Sequence, residues 1–351
     1  MPRKVLHITE AFGGGIVSSL YSFAINSSSF EHHLLICERA DQPLSKDLSA
    51  AFSSITIMSR NVALAIPAIK RAVAKLSPDY VHLHSSYAGV YGRLSGLDPS
   101  TTIYSPHGFA FERRSSPKLL RYLYYFIEKI LSRRSMIFAG VSIDEVKYAA
   151  SINPHVRAIF LPNTTDISPS LVTAHADSCL SNIDIVCAGR LCPQKDPDFL
   201  VRTLANVPQT LRDRFSVTWI GSGDDNMRRR LLESGVNVTG WVTHEEAARK
   251  LANCDLYFHV AAWEGFPMTV IEAAALGRPI VLRRIRAFSG FDLPEGAFVD
   301  TPEDAADILS AWVTSAEQRK ATNTLSRKVA QITSVERQRS ALADLYRIYS
   351  A

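Results

Sequence analysis

Short apolar runs alternate with longer stretches of helical period along most of the chain. The runs are short and rich in β-branched and aromatic residues, which is typical of strands. In the first half they are KVLHIT, HHLLIC, SITIMS, YVHLHS, TTIYSP, MIFAGVS and VRAIFLP, with GIVSSLYSFAINSS and PAIKRAVAKLS among the helical stretches. Apolar strands separated by helices predict an α/β fold, with a parallel sheet covered on both faces.

The same alternation restarts after a segment, residues 163–181, that has no clear period and is rich in Ser and Thr. NIDIVCAGRL, FSVTWIGSG, VNVTGWV, DLYFHVA and RPIVLR predict a second set of strands. A chain of 351 residues also exceeds one ordinary core. We therefore predict two Rossmann-like doubly wound domains, residues 1–165 and 166–334, with a final helix at 335–351 packing back on the first. Ligands of such sheets bind beyond the carboxyl ends of the strands.

Composition narrows the class of protein. No run of 18 apolar residues is present, and the first residues, MPRKVLHITEAFGGG, enter a strand pattern directly, so we expect neither a membrane-spanning helix nor a secretory signal. Five cysteines without a C-x-x-C pair favour reduced thiols in a cytosolic protein.

The net charge of +5 is mild, but basic residues cluster in residues 112–135 beside leucine, tyrosine, phenylalanine and isoleucine. This mixture predicts a helix that lies on an anionic lipid surface. The alternative is a surface helix whose apolar stripe packs on its own domain. The rest of the chain is nearly balanced in charge, so we expect no nucleic-acid partner.

Two glycine loops follow predicted strands. Gly14 and Gly15 open the first helix, where glycines let the backbone approach a phosphate. Ser18 stands where a G-x-G-x-x-G motif needs its last glycine, and a tight turn explains the loop equally well. Gly221 and Gly223 end the strand in WIGSGDD and form a second candidate phosphate or nucleotide loop.

Cations follow the strand that opens the second half. Arg190 and Lys195 in AGRLCPQKDPDF suit a diphosphate, although a solvated loop is the alternative. Asp196 and Asp198 resemble a D-x-D metal motif, but we favour Asp196 as a helix N-cap with Pro197 at the first helical position. We therefore predict no metal site and no cofactor.

Further candidates lie at other strand ends. His107 follows TTIYS and precedes a glycine, which suits either a ligand contact or a structural histidine. Val242 precedes a helix start that Thr243 caps, with Glu246 three residues on, and it could border a nucleotide base.

The most specific motif is EGFPMTVIEAAALGRPIV, in which Glu264 and Glu272 enclose seven residues. Backbone N–H groups from about Gly265 to Val270 are expected to be unpaired donors at a helix start. Glu272 lies one turn into the helix and can accept hydrogen bonds from a diol such as ribose. A capping acid and an ordinary helix glutamate remain the alternative for the pair alone.

Together these segments resemble the retaining GT-B glycosyltransferases with an E-x7-E signature, which include bacterial polysaccharide and lipopolysaccharide transferases, phosphatidylinositol mannosyltransferases and sucrose synthase. The resemblance covers nearly the whole chain through the Gly13–Gly15 loop, SPHGF, LPNTTD, AGRLCPQKD, GSGD, VTGWV and the E-x7-E segment. It implies the GT-B fold, in which two domains face each other across a cleft: an acceptor-binding first domain and a donor-binding second domain. LPNTTD departs from the commoner IPNGVD, which puts the role of Asn163 in doubt.

The resemblance also implies residue roles. Glu264, with the backbone of Gly265, Phe266 and Pro267, would face the donor sugar. Thr269 and Val270 would offer backbone donors to the diphosphate, and Glu272 would hold the ribose. Arg190 and Lys195 would neutralise the leaving nucleotide diphosphate, as a metal does elsewhere. His107 would lie near the donor sugar, and Gly14 and Gly15 near the phosphate and acceptor.

The implied function is transfer of a sugar, with retained configuration, from a UDP- or GDP-linked donor to a glycan acceptor in bacterial surface polysaccharide synthesis. The expected partners are the nucleotide sugar, a lipid-linked acceptor and the anionic inner membrane, with the protein cytoplasmic and peripheral to that membrane. Two alternatives remain open at this stage: a nucleotide-sugar epimerase or phosphorylase on the same scaffold, and a non-catalytic nucleotide-sugar-binding protein.

Overall fold

The structure is a computed structural model that describes residues 2–10, 12–37, 50–172 and 182–346. Contacts between residues divide the chain into two compact units, Met1–Thr164 with Ser334–Ala351, and Thr165–Thr333. The end of the predicted linker and the last five residues of the predicted final helix lie outside the described residues.

The first unit is built on a seven-stranded parallel sheet in the order β3-β2-β1-β4-β5-β6-β7. Its strands are β1 Arg3–Thr9, β2 Phe30–Ile36, β3 Ser54–Ile57, β4 Tyr80–His84, β5 Thr102–Ser105, β6 Ile137–Gly140 and β7 Arg157–Phe160. Its described α-helices are α1 Gly15–Asn26, α2 Val62–Leu76, α3 Ser86–Leu94, α4 Lys118–Leu131, α5 Ile143–Ile152 and, from the end of the chain, α13 Val335–Tyr346. The strand order reverses direction between β1 and β4, as expected for a doubly wound sheet.

The final helix α13 belongs to this unit because it forms hydrogen bonds with the unit's sheet, its first helix and the segment after β7. Gln338 is fully buried and donates to the carbonyl of Pro162, with the two atoms 2.8 Å apart. The Asn26 amide donates to the Gln338 side chain at 2.7 Å, and the Tyr80 hydroxyl donates to the Tyr346 carbonyl at 2.6 Å.

The second unit is built on a six-stranded parallel sheet in the order β10-β9-β8-β11-β12-β13. Its strands are β8 Ile183–Ala188, β9 Phe215–Ile220, β10 Asn237–Val238, β11 Leu256–His259, β12 Ile280–Arg283 and β13 Phe298–Val299. Its α-helices are α6 Pro197–Asn206, α7 Gln209–Arg212, α8 Asp225–Glu233, α9 His244–Ala252, α10 Met268–Ala275, α11 Pro302–Thr314 and α12 Ala316–Ile332. Buried aliphatic and aromatic residues from the sheet, α6 and α11 form its largest core.

The predicted fold class is confirmed, because both units are parallel α/β sheets of Rossmann type. Three details differ from the sequence prediction. Helix α2 begins at Val62, where the Asn61 side chain accepts from the Ala63 N–H, and not at Pro67, which lies inside it. Strand β10 ends at Val238 instead of extending to Val242, and the two-residue strand β13 was not predicted.

Among the described residues, no helix combines the length and the apolar character that a membrane crossing requires. The four described cysteines, Cys37, Cys187, Cys192 and Cys254, are free thiols. Cys179 lies outside the described residues.

Candidate active site

The candidates of the second unit gather on loops that follow β8, β9 and β11, three neighbouring strands of one sheet. The loop after β8 carries Arg190 and Lys195, the loop after β9 carries Gly221 and Gly223, and the loop after β11 carries Glu264. The carboxyl ends of parallel strands meet at one edge of a sheet, which explains why distant parts of the sequence converge here.

An ion pair joins two of these loops. The Lys195 ammonium contacts the Glu264 carboxylate, and both side chains are mostly buried. The Gln194 amide donates to the Glu264 carboxylate and to the carbonyl of Trp263, each at 3.1 Å. The Ala262 N–H in turn donates to the Gln194 carbonyl at 2.8 Å. Glu264 is therefore held from two neighbouring residues of one loop, and Lys195 is a partner of the acid as well as a cation of the site.

The glycines after β9 are required by the close approach of the two loop backbones. Gly221 and Gly223 have φ of 135° and 158°, and a Cβ at either position would overlap a carbonyl oxygen of the β8 loop. The Leu191 N–H donates to the Ser222 carbonyl at 2.9 Å, and Gly223 pairs with Leu191 as an isolated bridge. Contact of these glycines with a ligand stays a prediction, while their packing role follows from the backbone.

The two acids of the D-x-D-like segment are each paired with an arginine. Asp196 does occupy the N-cap position of α6, but its side chain makes no capping bond, which corrects the expected cap. Its carboxylate instead accepts from Arg283 at 2.6 Å. Asp198 accepts from Arg230 at 2.8 and 3.0 Å. These pairs already neutralise the two carboxylates, so the arrangement fits structural roles for both acids better than a divalent metal site.

The start of α10 provides fewer free donors than the sequence predicted. The Val270 N–H donates to the Pro267 carbonyl at 3.1 Å, so it is not an unpaired donor, and its side chain is fully buried. Pro267 itself has no N–H. Thr269 is half-buried, and its hydroxyl shares a hydrogen bond of 2.6 Å with the Tyr257 hydroxyl. The N–H groups of Met268 and Thr269 are the helix-start donors that remain available in the described chain. Gly265 and Phe266 are buried beside them.

Glu272 is a buried carboxyl group on α10. Burial raises its pKa above the ordinary value. The electrostatic interactions with His244 and Lys195 act in the opposite direction, and that with Asp166 adds to the rise. Its carboxyl group has no hydrogen-bond partner in the part of the chain that the structure describes. A bound donor group would supply the hydrogen bonds that the described residues do not make to it.

Arg190 and Val242 lie at the solvent-facing part of the unit. Arg190 is exposed, and within the described residues it has no hydrogen-bond or ion-pair partner. Val242 is half-buried and follows Trp241, whose side chain is exposed. The Thr243 side chain accepts from the Glu246 N–H, as predicted, and so caps α9.

The remaining candidates belong to the first unit. Gly14 is the N-cap residue of α1 with φ of 56°, Gly15 is its first residue, and both are exposed. A Cβ at Gly14 would meet open space, so the positive φ alone explains this glycine. The first turn of α1 carries no acidic residue that would offset the positive end of its dipole.

His107 follows β5 and has φ of 52°, a conformation that is uncommon outside glycine. Glu145 stabilises this loop, since its buried carboxylate accepts from the N–H groups of Gly108 at 2.6 Å and Val141 at 2.8 Å. Burial lowers the pKa of His107 to about 4, so the ring is neutral near pH 7. Its Nε2 lies 3.0 Å from Nδ1 of His84.

Sequence reasoning missed several residues that support the candidates. Gln194 and Arg283 are ordinary polar residues in the sequence, and only the fold reveals that they hold Glu264 and Asp196. His84, which contacts His107, did carry a signal, because two histidines alternate in the strand segment YVHLH and therefore point to one face.

Comparisons with known proteins agree with this architecture. Residues 182–317 match the family described as Glycosyl transferases group 1. The chain is 24% identical over 302 residues to a 41.2 kDa protein in cps region of Klebsiella pneumoniae, covering 80% of this chain and 81% of the relative. It is 24% identical over 287 residues to the UDP-Gal:alpha-D-GlcNAc-diphosphoundecaprenol alpha-1,3-galactosyltransferase of Escherichia coli, covering 72% of this chain and 71% of the relative.

Solved structures show the same fold at low sequence identity. Sucrose-phosphate synthase from Thermosynechococcus elongatus is similar with a TM-score of 0.79 and 16% identity, covering 98% of both chains. Anabaena Alr3699/HepE, solved in complex with UDP-glucose, is similar with a TM-score of 0.76 and 16% identity, covering 97% of this chain and 98% of that one. The chain thus has the GT-B fold, and its residues 182–317 match the group 1 glycosyl transferases.

Proposed function

We propose that this glycosyltransferase moves a sugar, with retained configuration, from a nucleotide-diphosphate donor to a lipid-linked glycan in the synthesis of a bacterial surface polysaccharide. The observation that carries the proposal is the pair of E-x7-E acids: Glu264 is held by Lys195 and Gln194 at a strand end, and Glu272 is buried without a partner in the described chain. The Escherichia coli relative is named for a UDP-galactose donor and a diphosphoundecaprenol-linked acceptor, which supports both substrate classes.

The donor would bind at the carboxyl ends of β8, β9 and β11. Glu272 would accept from the ribose hydroxyls, which gives its buried carboxyl group the hydrogen-bond donors it lacks. The N–H groups of Met268 and Thr269, at the positive end of the α10 dipole, would bind the diphosphate. Arg190 would bind the same phosphates, since its guanidinium is exposed and suits bidentate phosphate contacts.

Charge explains why cations are needed at this place. A nucleoside diphosphate brings about two negative charges to a site that already contains two acids. Lys195 offsets Glu264 through their ion pair, so Arg190 and the start of α10 are left to stabilise the leaving diphosphate. With Asp196 and Asp198 paired to arginines, we propose that the transfer proceeds without a metal ion.

The proposed chemistry follows from the same residues. The anomeric carbon would develop oxocarbenium character as the diphosphate leaves, and Arg190 would stabilise the negative charge on the departing oxygens. Glu264 is already committed to Lys195 and Gln194, which suits a role in positioning sugar hydroxyls better than a role as a covalent nucleophile. We therefore favour attack by the acceptor hydroxyl from the face that the leaving group vacates, which retains the configuration. The bond from the anomeric carbon to the diphosphate oxygen breaks, the bond to the acceptor oxygen forms, and the hydroxyl proton passes to an oxygen of the leaving phosphate.

Ligand-induced stabilisation tests the donor site. A nucleoside diphosphate at 100 times its dissociation constant adds about 2.7 kcal/mol, which raises Tm by roughly 5–10 °C for a domain of this size. We expect the shift for UDP or GDP, and a loss of most of it in Arg190→Ala and Glu272→Gln. Arg228→Ala is the matched control, because Arg228 is an exposed arginine of the same unit on α8. Equal shifts in all three variants would remove both residues from the donor site.

We also propose that the first unit binds the anionic cytoplasmic face of the inner membrane through helix α4. Its apolar side chains Leu119, Tyr122, Leu123, Phe126 and Ile130 are exposed and recur at helical spacing, so they form one solvent-facing stripe. Leu119 is 82% exposed. The buried residues of α4 are Glu128 and Leu131, so the face that packs on the domain is not the apolar stripe. The alternative that the whole apolar stripe packs on the domain is therefore wrong for these five residues.

The charges around the stripe identify an anionic lipid surface as the partner. Arg113, Arg114, Lys118, Lys129, Arg133 and Arg134 are exposed at both ends of α4. Each cation near such a surface adds about 1 kcal/mol. Arg121 does not join them, because its guanidinium donates to the Phe111 carbonyl at 2.7 Å.

Vesicle co-sedimentation tests this surface. We expect binding to vesicles of phosphatidylcholine with phosphatidylglycerol and little binding to phosphatidylcholine alone. Leu119→Glu with Phe126→Glu should abolish it, while Leu64→Glu should not, although Leu64 is also an exposed leucine on a helix of the same unit, at 59% exposure. Equal binding to both vesicle types, or retained binding in the double variant, would contradict the proposal.

A further inference from the structure

Four histidine rings form a continuous hydrogen-bonded row in the first unit. His107 Nε2 lies 3.0 Å from His84 Nδ1, His84 Nε2 lies 2.9 Å from His7 Nδ1, and His7 Nε2 lies 2.9 Å from His32 Nδ1. The row ends at Ser27, whose carbonyl and hydroxyl oxygens both lie 3.1 Å from His32 Nε2. We call these four rings the histidine row.

At the inner end of the histidine row, the hydrogen bonds between His32 and Ser27 can have only one donor. The Ser27 carbonyl can only accept a hydrogen bond, and the Ser27 hydroxyl already donates its hydrogen to the Phe23 carbonyl at 2.6 Å. Both oxygens therefore require a hydrogen on Nε2 of His32. The other nitrogen of a neutral imidazole carries no hydrogen, so Nδ1 of His32 is an acceptor.

This direction of hydrogen bonding passes along the row if every ring is neutral, and burial supports neutrality. Burial lowers the pKa of His7 and His84 well below the ordinary value, lowers that of His32, and lowers that of His107 to about 4. Because His32 Nδ1 accepts, His7 must donate from Nε2 and accept at Nδ1. The same step then applies to His84 and, last, to His107.

We propose that the histidine row fixes His107 as the tautomer with its hydrogen on Nε2, so that Nδ1 presents a hydrogen-bond acceptor at the open end of the row. His107 is the half-buried member, and its Nδ1 has no partner in the described part of the chain. The ligand this nitrogen suits is a hydrogen-bond donor such as a hydroxyl group of a sugar, whereas a phosphate oxygen, which only accepts, would not pair with it. His84, His7 and His32 are then positioning residues.

The proposed ligand rests on the proposed glycosyltransferase function, whereas the tautomer rests on the hydrogen bonds and on the neutrality of the buried rings. A failure of the proposed function can therefore be distinguished from a failure of the proposed tautomer. A sugar-transfer defect with the tautomer intact would concern the function, and a wrong tautomer in a fully active protein would concern the histidine row.

A fifth histidine provides the matched control. His82 is as buried as His84 and lies two residues away on β4, but it is outside the row. Its Nε2 lies 2.8 Å from the Ser105 hydroxyl, which donates to the Ala139 carbonyl, and its Nδ1 lies 3.4 Å from the Tyr346 hydroxyl. His82 thus has partners of its own.

The rings of His7, His82 and His84 are also close enough together to hold a metal ion. Both nitrogens of His7 and of His84 already bond to neighbouring rings, and those of His82 bond to hydroxyl groups. A metal would have to break this set of bonds, so we favour the hydrogen-bonded row.

Nitrogen NMR of the full chain with ¹⁵N-labelled histidine tests the proposal. We expect His107 to show a protonated Nε2 and an unprotonated Nδ1, with scalar coupling across the N–H···N bond to His84 and further couplings from His84 to His7 and from His7 to His32. A protonated Nδ1 on His107, an average of two tautomers, or absence of these couplings would overturn it.

Two variants extend the test along the row. His84→Leu removes the acceptor for His107, and His32→Leu removes the end that sets the direction, three rings from His107. In both we expect the His107 nitrogen signals to move toward the average of two tautomers, while His82→Gln leaves them unchanged. An unaltered His107 signal in a folded His32→Leu protein would contradict the transmission. If these variants do not fold, the wild-type spectrum alone decides the tautomer.

Discussion

Acidification should destabilise the first unit more steeply than the second, because the first unit buries several neutral imidazoles. Burial lowers the pKa of His7, His82 and His84 well below 6.5, and that of His107 to about 4. A group whose pKa is lower in the folded state binds protons mainly when the chain unfolds. Its contribution to stability is therefore complete above pH 6.5 and is lost as the pH falls toward the folded-state pKa.

The size of the effect follows from linkage. At pH 5.5 an unfolded histidine with pKa of about 6.5 is mostly charged. Each ring that stays neutral in the folded state therefore lowers the free energy of unfolding by about 1.4 kcal/mol relative to high pH. The rings of His7, His82, His84 and His107 together therefore lower the stability of the first unit by about 5–6 kcal/mol. Burial raises the pKa of Glu145 in the same unit to about 8, and its protonation on acidification offsets part of this loss. The whole stability of a typical domain is about 5–15 kcal/mol. In the second unit, burial lowers the pKa of one described histidine, His259, in this way. The free energy of unfolding of that unit should therefore fall by about 1.4 kcal/mol.

The two units can be followed separately. All four tryptophans, at positions 219, 241, 263 and 312, belong to the second unit, so urea unfolding followed by tryptophan fluorescence reports that unit. Amide hydrogen exchange in β1 and β4, corrected for the intrinsic exchange rate, reports the first. We expect the opening free energy of β1 and β4 to fall by several kcal/mol between pH 7.5 and 5.5. A fall of less than about 1 kcal/mol, or one equal to that of the second unit, would refute the assignment of neutral buried rings.

Three further predictions concern the second unit. Gly221→Ala should lower the unfolding free energy by more than about 2 kcal/mol in urea titrations, because a Cβ would overlap the Gly189 carbonyl. In Gly240→Ala the added Cβ meets no atom, so this variant should lose only the roughly 1–2 kcal/mol that a positive φ costs. Equal losses in the two variants would contradict the close approach of the loops. Arg190→Ala should reduce the rate of sugar transfer about ten- to a hundredfold, as expected for a lost hydrogen bond to a charged group, and unchanged steady-state kinetics would exclude it. Transfer should persist in excess chelator, and complete loss that manganese or magnesium restores would assign a metal to the site.

The sequence predicted the sheets well because their signal is local. Apolar runs of strand length, separated by helical stretches, are visible without knowledge of the fold, and all strands except β13 had been predicted. The E-x7-E motif was equally accessible, since Glu264 and Glu272 flank a strand-to-helix turn in consecutive sequence. Boundaries were harder, and α2 starts earlier than Pro67 because Asn61 provides the cap.

The partners within the site could not be predicted, because they depend on register and on close approach. The pairing of β1 with β4 aligns His7 with His82 and Thr9 with His84, and no local pattern specifies that alignment. The same is true of Asp196, which its sequence context marks as a cap but which the fold brings to Arg283. Gly221 remains a candidate for a phosphate or nucleotide loop, but the nearness of another backbone, which the sequence does not reveal, by itself demands a glycine there.

Direct analysis of the reaction product tests the proposal that this chain transfers a sugar from a nucleotide diphosphate with retained configuration. The purified protein would be incubated with UDP- and GDP-linked sugars of α configuration and a lipid-diphosphate-linked glycan, and the product would be analysed by mass spectrometry and by the anomeric coupling in proton NMR. We expect one added sugar in α linkage with the wild type, and a large loss of product with Glu272→Gln but not with Arg228→Ala. A β-linked product, or no transfer from any such donor by a folded protein that binds UDP or GDP, would contradict it.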